Sequence, residues 1–245
     1  YQLTLRPWFW FLTQTQDCRI FQDRTVLQIL ETVLADHPIA ALDDRTTTGF
    51  TPWVYCVQYR ESDFNFLSRL MEQEGISYHF EHEAGRHVMV LTDGVGGHAA
   101  APGCQPLPVR HQAVGPDGPK ECAFELSASR RIVPGATVIQ DYDFTRSQTD
   151  LRQGRAQPAS HALGDYEVFD YPGYYDKEGD GEQFVRSQME EYAAAAEQLE
   201  GRADARGLAC GRLVTFKGAT RAADDAQHLV LATQLRLDVS AWESG

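Results

Sequence analysis

An α+β fold, with more strands than helices and the strands mostly antiparallel, is predicted by three features of this 245-residue chain. The first is the run over residues 53–80, WVYCVQYRESDFNFLSRLMEQEGISYHF. An aromatic strand there enters a polar helix cap and an amphipathic helix, then passes through Gly75 into a second aromatic strand. Neighbouring signals agree along the whole run, so its local order is well specified. The second feature is a pair of further helix patterns, one near residue 25 and a longer one near residue 180. The third is the series of short β-branched and aromatic runs punctuated by Gly, Pro and Asp, which read as strands and turns.

Taken in order, residues 1–12 alternate and then become solidly aromatic through Trp8, Phe9, Trp10 and Phe11, the pattern of a strand with one buried face. Residues 25–36 carry Val26, Ile29, Leu30, Val33 and Leu34 on the i, i+3, i+4, i+7, i+8 stripe of a short helix. Asp23 or Thr25 can cap its start, and Pro38 follows its end. Residues 43–52 are polar and turn-forming, and residues 53–59 read as a strand. Ser62 is then an N-cap, with Asp63 in the first turn facing the positive end of the helix dipole. Phe64, Leu67, Leu70 and Met71 mark the buried face, and Gly75 supplies the stop. Residues 76–82 and 87–91 flank Glu83, Ala84, Gly85 and Arg86 and form a hairpin.

Residues 93–119, rich in Gly, Pro and Ala, are expected to be a linker or long loop. Strands are expected at 122–127, 136–143 and 165–171. The longest helix is predicted from Asp180 or Gly181 to about Glu200, with Phe184, Val185, Met189, Tyr192 and Leu199 inward. Its alanines at 193–196 are strong helix formers, and Gly201 ends it. Two closing strands, 207–217 and 228–239, are joined by a polar loop carrying Arg221, Asp224 and Asp225.

Composition narrows the function. At 42% hydrophobic and 23% charged the chain is typical of globular proteins, and its length suits one large domain or two ordinary ones. The longest apolar cluster, Trp8 to Leu12, is far short of the ~20 residues a membrane helix needs. No basic-then-apolar leader opens the chain, which starts at Tyr1 in what reads as a strand, as expected of an excised segment. A net charge of −13 with scattered basic residues argues against nucleic acid as a partner. Cys18, Cys56, Cys104, Cys122 and Cys210 are odd in number and lack short spacings, so they read as reduced, mostly buried thiols.

Five groups of residues invite a chemical reading. His79, Glu81, His82, Glu83 and His87 are not a metalloprotease motif, because H-E-x-x-H needs two histidines one helical turn apart. On predicted strands His79, Glu81 and Glu83 share a face while His82 points away, and a solvated hairpin face accounts for them. Asp141 and Asp143 put two carboxylates on one strand face, a spacing usable for glycoside hydrolysis if one were kept protonated. No second partner is specified nearby. The run from Asp176 places oxygens and Gly181 as in a calcium loop, but position 12 is Ser187 instead of a bidentate Glu. Gly94, Val95, Gly96 and Gly97 lack the strand–helix context of a dinucleotide fingerprint, and neither a phosphate loop nor a nucleophile elbow is present. The aromatic sets Trp8, Phe9, Trp10 and Trp53, Tyr55, Tyr59 suit a core or a subunit interface better than a small-molecule platform. The expected catalytic, cofactor-binding and metal sets are therefore empty.

Several stretches carry a family resemblance: RPWFWFLTQTQDCRIFQD (6–23), CVQYRESDFNFLSRLMEQEGISYHFEH (56–82), DYDF (141–144), RAQPASHALGDYEVFDYPGYY (155–175), GEQFVRSQMEE (181–191) and ARGLACGRLVTFKG (205–218). In this order they resemble the hub part of the VgrG family, the spike proteins of type VI secretion. The likeness is weakest over residues 93–130. It implies barrel-like hub domains related to the tail hub of contractile phages, with a few inserted helices. Under it, residues 1–22 are the remainder of a first hub β-barrel and 23–98 a mixed α/β domain. Residues 99–120 are a linker, and 121–245 a second barrel domain with an inserted helix at 181–200. It further implies a non-enzymatic homotrimer that docks on the hexameric Hcp tube and supports the puncturing spike. Effectors and a tip protein would join through a C-terminal region that this sequence lacks. Assembly would be cytoplasmic, followed by translocation into a target cell. The first strands of the first barrel are also lacking, which is expected to leave strand edges open to pairing. An acidic hydrolase, or a baseplate hub of a phage or tailocin, is the alternative.

Overall fold

The computed structural model describes residues 3–110 and 121–236. Its first segment is not the strand expected over residues 1–12. After Pro7 the chain turns into a 3-10 helix, Trp8–Gln14, with Trp8, Phe9 and Leu12 buried. Those three fall at i, i+1 and i+4, one face of a helix, and a continuous apolar run is ambiguous between the two geometries. The Trp8 N–H donates to His87 Nε2 at 3.0 Å. The strand comes later, as β1 (Gln16–Phe21).

Helix α1 (Val26–Leu34) buries the five residues of its predicted stripe. Thr25 caps it in a reciprocal capping box: its Oγ1 accepts from the Gln28 N–H, and the Gln28 side chain accepts from the Thr25 N–H. A short strand β2 (Leu42–Asp44) follows, inside the stretch expected to be all turn. Strand β3 (Cys56–Ser62) starts later than expected and runs antiparallel to β1. Ser62 caps α2 (Asp63–Glu74) by accepting the Asn65 N–H, and Gly75 ends it in the left-handed conformation at φ 74°. The buried face of α2 is Phe66, Leu67, Leu70 and Met71, with Phe64 half-buried. Strands β4 (Ser77–Glu83) and β5 (Arg86–Thr92) form the expected hairpin, and β2 adds to β5 in parallel, giving the order β2-β5-β4. The parallel register of β2 depends on a partner 47 residues away (Leu42 to Met89), which local pattern does not report.

Helices α1 and α2, the 3-10 helix and the inner faces of these strands enclose one core. Trp8 lies edge-on to Phe9 and Phe80, and Phe21 stacks on Phe66. Each fully buried Leu or Phe here is worth about 1.5–3 kcal/mol of transfer free energy. Within that apolar setting sits one buried carboxylate. Asp63 accepts from Gln58 Nε2 at 2.7 Å, Thr15 Oγ1 at 2.9 Å and Arg19 Nη1 at 2.8 Å, and His37 Nε2 lies 3.3 Å away. Arg19 continues to Asp36 and Asp17 at 3.0 and 3.1 Å. Burial alone would push the Asp63 carboxyl up; the hydrogen bonds from Gln58 and Thr15 and the Arg19 charge outweigh it and hold the group below its usual range.

The described residues fall into two units: Tyr1–Gly97 with Ser127–Glu200, and His98–Leu126 with Gly201–Gly245. In chain order the later elements are β6 (Leu107–Pro108), β7 (Ala123–Arg130), β8 (Ala136–Ile139), β9 (Gln153–Ala156), β10 (Glu167–Asp170), α3 (Glu178–Ala196), β11 (Glu197–Ala203), β12 (Leu213–Lys217) and β13 (Gln227–Leu229). In the first unit β8 is flanked by β10 in parallel and β9 antiparallel. A small core of Ile139, Leu151, Tyr175 and Val185 ties them to α3. A Cβ at Gly181 would sit 2.5 Å from the Tyr175 ring, so this turn of α3 requires glycine. In the second unit β12 lies between antiparallel β13 and parallel β6.

Three expectations about this half change. Helix α3 stops at Ala196, not near Glu200, and residues 197–203 pair with β7 as β11. The Ala196 carbonyl accepts the Arg131 N–H at 3.0 Å, so strand pairing overrides helix propensity. Tyr192 and Leu199 are accordingly only half-buried. Residues 98–110 are not a free linker: Ala101, Cys104, Leu107 and Val109 are buried, and Ala101 N–H donates to the Leu213 carbonyl at 2.7 Å. The rest of that stretch, 111–119, and the end of the expected strand 228–239 lie outside the described residues. Strands β1 and β3, β4 and β5, β8 and β9, and β12 and β13 pair antiparallel, whereas β2 and β5, β6 and β12, and β8 and β10 pair in parallel, so the sheets are mixed.

Replacing Asp63 by Ala is expected to cost about 3 kcal/mol in chemical denaturation, because Arg19 and Gln58 lose their buried acceptor. The depressed Asp63 carboxyl contributes stability that is intact above its unfolded value, ~3.9, and is lost as pH falls through the lower folded value. The acid limb of the stability curve of Asp63→Asn should therefore be flatter than that of the parent. Thr25→Ala should cost about 1 kcal/mol by the same measurement.

Candidate functional site

The hairpin set splits across the two faces of its sheet. His79 is buried, with Nε2 3.8 Å from Glu81 Oε1. Glu81 receives Arg45 Nη1 and Nη2, both at 3.1 Å, and the hydrogen bond to Glu81 followed by that to Asp43 raises the Arg45 pKa against the opposing effect of burial. A solvated face therefore describes Glu83 and His82 but not His79; β2 brings Arg45 to this side of the sheet and covers it. On the other face His82 and His87 stack with ring centroids 5.6 Å apart. His87 Nε2 is occupied by the Trp8 N–H, so the ring anchors the 3-10 helix.

Asp141 and Asp143 are engaged in local turns. Asp143 accepts Thr145 Oγ1 and N–H at 2.5 and 2.8 Å and Arg146 Nε at 2.6 Å, and these bonds hold its carboxyl down at about 2. Asp141 accepts the N–H groups of Tyr142 and Tyr174, each at 2.6 Å. A general acid must keep its proton near neutral pH. Asp143 is held in the opposite state, and the hydrolase reading loses its support. The calcium-like run is helix from Glu178 onward, so its oxygens cannot wrap an ion, and Asp180 Oδ1 accepts Thr51 Oγ1 at 2.8 Å. Among the described residues no group of three or more His, Cys, Asp or Glu side chains is placed to hold a metal ion. Gly94 to Gly97 fold into a single 3-10 turn. A depression of about 520 Å³ beside α3 and β9 is walled by polar groups such as Gln153, Arg155, Glu182 and Arg186, unlike the apolar clefts that enclose small ligands.

One titratable group escaped the sequence reading. Glu74 is buried at the end of α2, where its carboxylate accepts Trp53 Nε1 at 2.7 Å. Burial is the main cause that lifts it to about 7, and the Asp180 charge adds to it. The signal was present: position 74 continues the Leu67, Leu70, Met71 stripe one turn further.

What the surface does offer is apolar area. The aromatic sets divide: Trp8 and Phe9 fill the core and Trp53 is half-buried, whereas Tyr55 and Tyr59 are exposed. In the β1–β3 ribbon, Phe21 pairs with Cys56 and Arg19 with Gln58 on the inner face. The alternate pairs, Ile20 with Val57 and Cys18 with Tyr59, make the outer face. Ile20 and Tyr59 are 61% and 65% exposed, far more than a β-branched or aromatic strand residue facing a core. The skip at Asp17/Cys18 leaves Arg60 as an inserted residue at φ 52°, its guanidinium 5.2 Å from the Tyr59 ring. A second exposed aromatic group, Tyr142, Phe144, Tyr171 and Tyr174, gathers where β8 and β10 end. These are large exposed side chains of the ribbon's outer face and of the strand ends.

The chain is 39% identical over 247 residues to the type VI secretion system spike protein VgrG1a of Pseudomonas aeruginosa; the match covers 100% of this chain and 38% of that relative's length. Among solved structures it is similar to the E. coli c3393 protein, described as a component of the type VI secretion system with structural similarity to T4 bacteriophage tail proteins. That match has a TM-score of 0.61 at 18% identity and covers 91% of this chain and 47% of the other. A prophage MuSo2 43 kDa tail protein from Shewanella oneidensis matches at TM-score 0.55 and 13% identity, over 86% of this chain and 61% of its own. The model of the phage tail baseplate hub (GPD) family matches residues 1–240, and the chain belongs to that family.

Proposed function

We propose that this chain is the hub portion of a VgrG-type spike and works by holding shape and subunit contacts instead of by turning over a substrate. The observation that carries the reading is the 39% identity to VgrG1a across the whole chain. The engaged state of Asp141 and Asp143 and the exposed outer face of the β1–β3 ribbon support it. In this reading three subunits close a ring, the ring docks on a hexameric Hcp tube, and effectors ride on parts of the protein beyond this segment. The sheets at each end would then complete two barrel-like hub domains, residues 1–22 contributing to the first and 121–245 forming the second. The assembled particle would form in the cytoplasm and be translocated. A phage or tailocin baseplate hub shares this architecture and differs only in the particle that contains it.

A closed three-subunit ring requires a head-to-tail contact that is apolar at its centre. The ribbon face can supply one side of that contact with Ile20, Val57 and Tyr59, and among the described residues β1 and β3 form a two-stranded sheet whose outer edges further strands can join.

Sedimentation and electron microscopy of the full-length protein containing this segment should give a three-subunit ring with near-sixfold inner symmetry. A species that stays monomeric at high concentration would rule out the ring. Tyr59→Glu, which places a charge on the exposed ribbon face, should weaken self-association at least tenfold while leaving the circular dichroism unchanged. Equal association by parent and variant would exclude this face from the contact.

A further inference from the structure

Helices α2 and α3 meet within the first unit along a seam that contains two carboxylates. Gly75 marks how tight the approach is: a Cβ there would lie 2.4 Å from Ser187 Oγ on α3. Immediately before it, Glu74 is buried and its carboxylate reaches the Trp53 indole at 2.7 Å. Three elements face it. The stretch before β3 contributes Trp53, and also Thr51, which donates to Asp180 Oδ1 at 2.8 Å. Helix α3 contributes Asp180, whose charge opposes ionisation of Glu74, and Gln183, whose Nε2 lies 3.5 Å from the Glu74 carbonyl. Its own helix ends in Gly75, with Gln73 Nε2 donating to the Gly173 carbonyl at 3.3 Å. Asp180 is thus the charged group whose field reaches Glu74. Asp180 Oδ1 accepts the Thr51 hydroxyl, whereas the buried Glu74 carboxylate has one indole donor. Two neighbouring carboxyl groups in such unequal surroundings cannot both ionise without cost.

We propose that Glu74 and Asp180 form a proton-operated latch that fastens α3 to α2, tight while Glu74 holds a proton and loosened once both carboxylates are charged. The folded state binds this proton more strongly than the unfolded chain, so the docking contribution is complete at low pH. It declines as pH rises towards and through about 7, and is then constant. The loosening is local, because the Asp63 cluster at the other end of α2 stays anionic and paired across that range.

Hydrogen exchange read by mass spectrometry at pH 6.0 and 8.5, corrected for the intrinsic pH dependence, tests it on the intact chain. Protection of α3 and residues 51–53 should fall by about tenfold at the higher pH, the most that one group with a pKa of about 7 can supply over this range, while α1 and β1 change less than twofold. Glu74→Gln should keep high protection at both pH values. Asp180→Asn, whose substitution lies outside the core, should shrink the α3 change to less than half of the parent's, so the idea stays testable if the first variant folds poorly. Parent protection of α3 that does not vary with pH, a pH effect spread equally over the chain, or variants with the parental pH response would each overturn the latch.

Discussion

The architecture of residues 3–97 turns on a single buried acid. Asp63 heads α2 where the helix dipole favours a negative charge, and its two oxygens collect donors from the 3-10 helix end, β1 and β3, with His37 of the stretch after α1 close by. A carboxylate removed from water is tolerated only when its lone pairs are filled, and here several separate pieces of chain fill them. Such an arrangement fixes position more than it adds stability. Apolar packing would hold the same helices together at several registers, whereas this acceptor set is satisfied at one.

That constraint reaches the surface. Because Arg19 and Gln58 must point inward to Asp63, strand alternation sends Ile20, Val57 and Tyr59 outward. Shifting the ribbon by one residue would bury the apolar face and leave the carboxylate unpaired. An interior electrostatic requirement therefore determines which side chains the ribbon presents on its outer face. The same logic applies to the acidic candidates that follow β8. Asp141 and Asp143 serve as acceptors for turns, so their charge is already committed to local backbone and to Arg146.

Glu74 is the counter-case. It lies on the apolar stripe of α2, receives one donor, and faces another carboxylate across the seam. At the two ends of one helix the chain holds one acid's pKa down and lifts the other's to about 7, and donor supply decides between them. Burial is common to both; the number of hydrogen bonds offered to the charged form is not.

Sequence by itself determined the elements whose signals are local. The Thr25 capping box, the α1 stripe, the Ser62 cap, the Gly75 stop and the β4–β5 hairpin all depend on residues a few positions apart, and all appear in the structure. The ordered family stretches were equally legible, since they are sequence and nothing else. Tertiary structure alone decided the rest. Strand β2 exists because β5 accepts it, α3 ends early because β7 takes residues 197–203, and the aromatic run at 8–11 coils because its indole and phenyl rings fit one side of a helix-shaped site. Burial of His79 and Glu74 belongs with these. In each case the deciding free energy comes from a partner distant in the chain, and loop closure makes that partner invisible to any window of neighbouring residues.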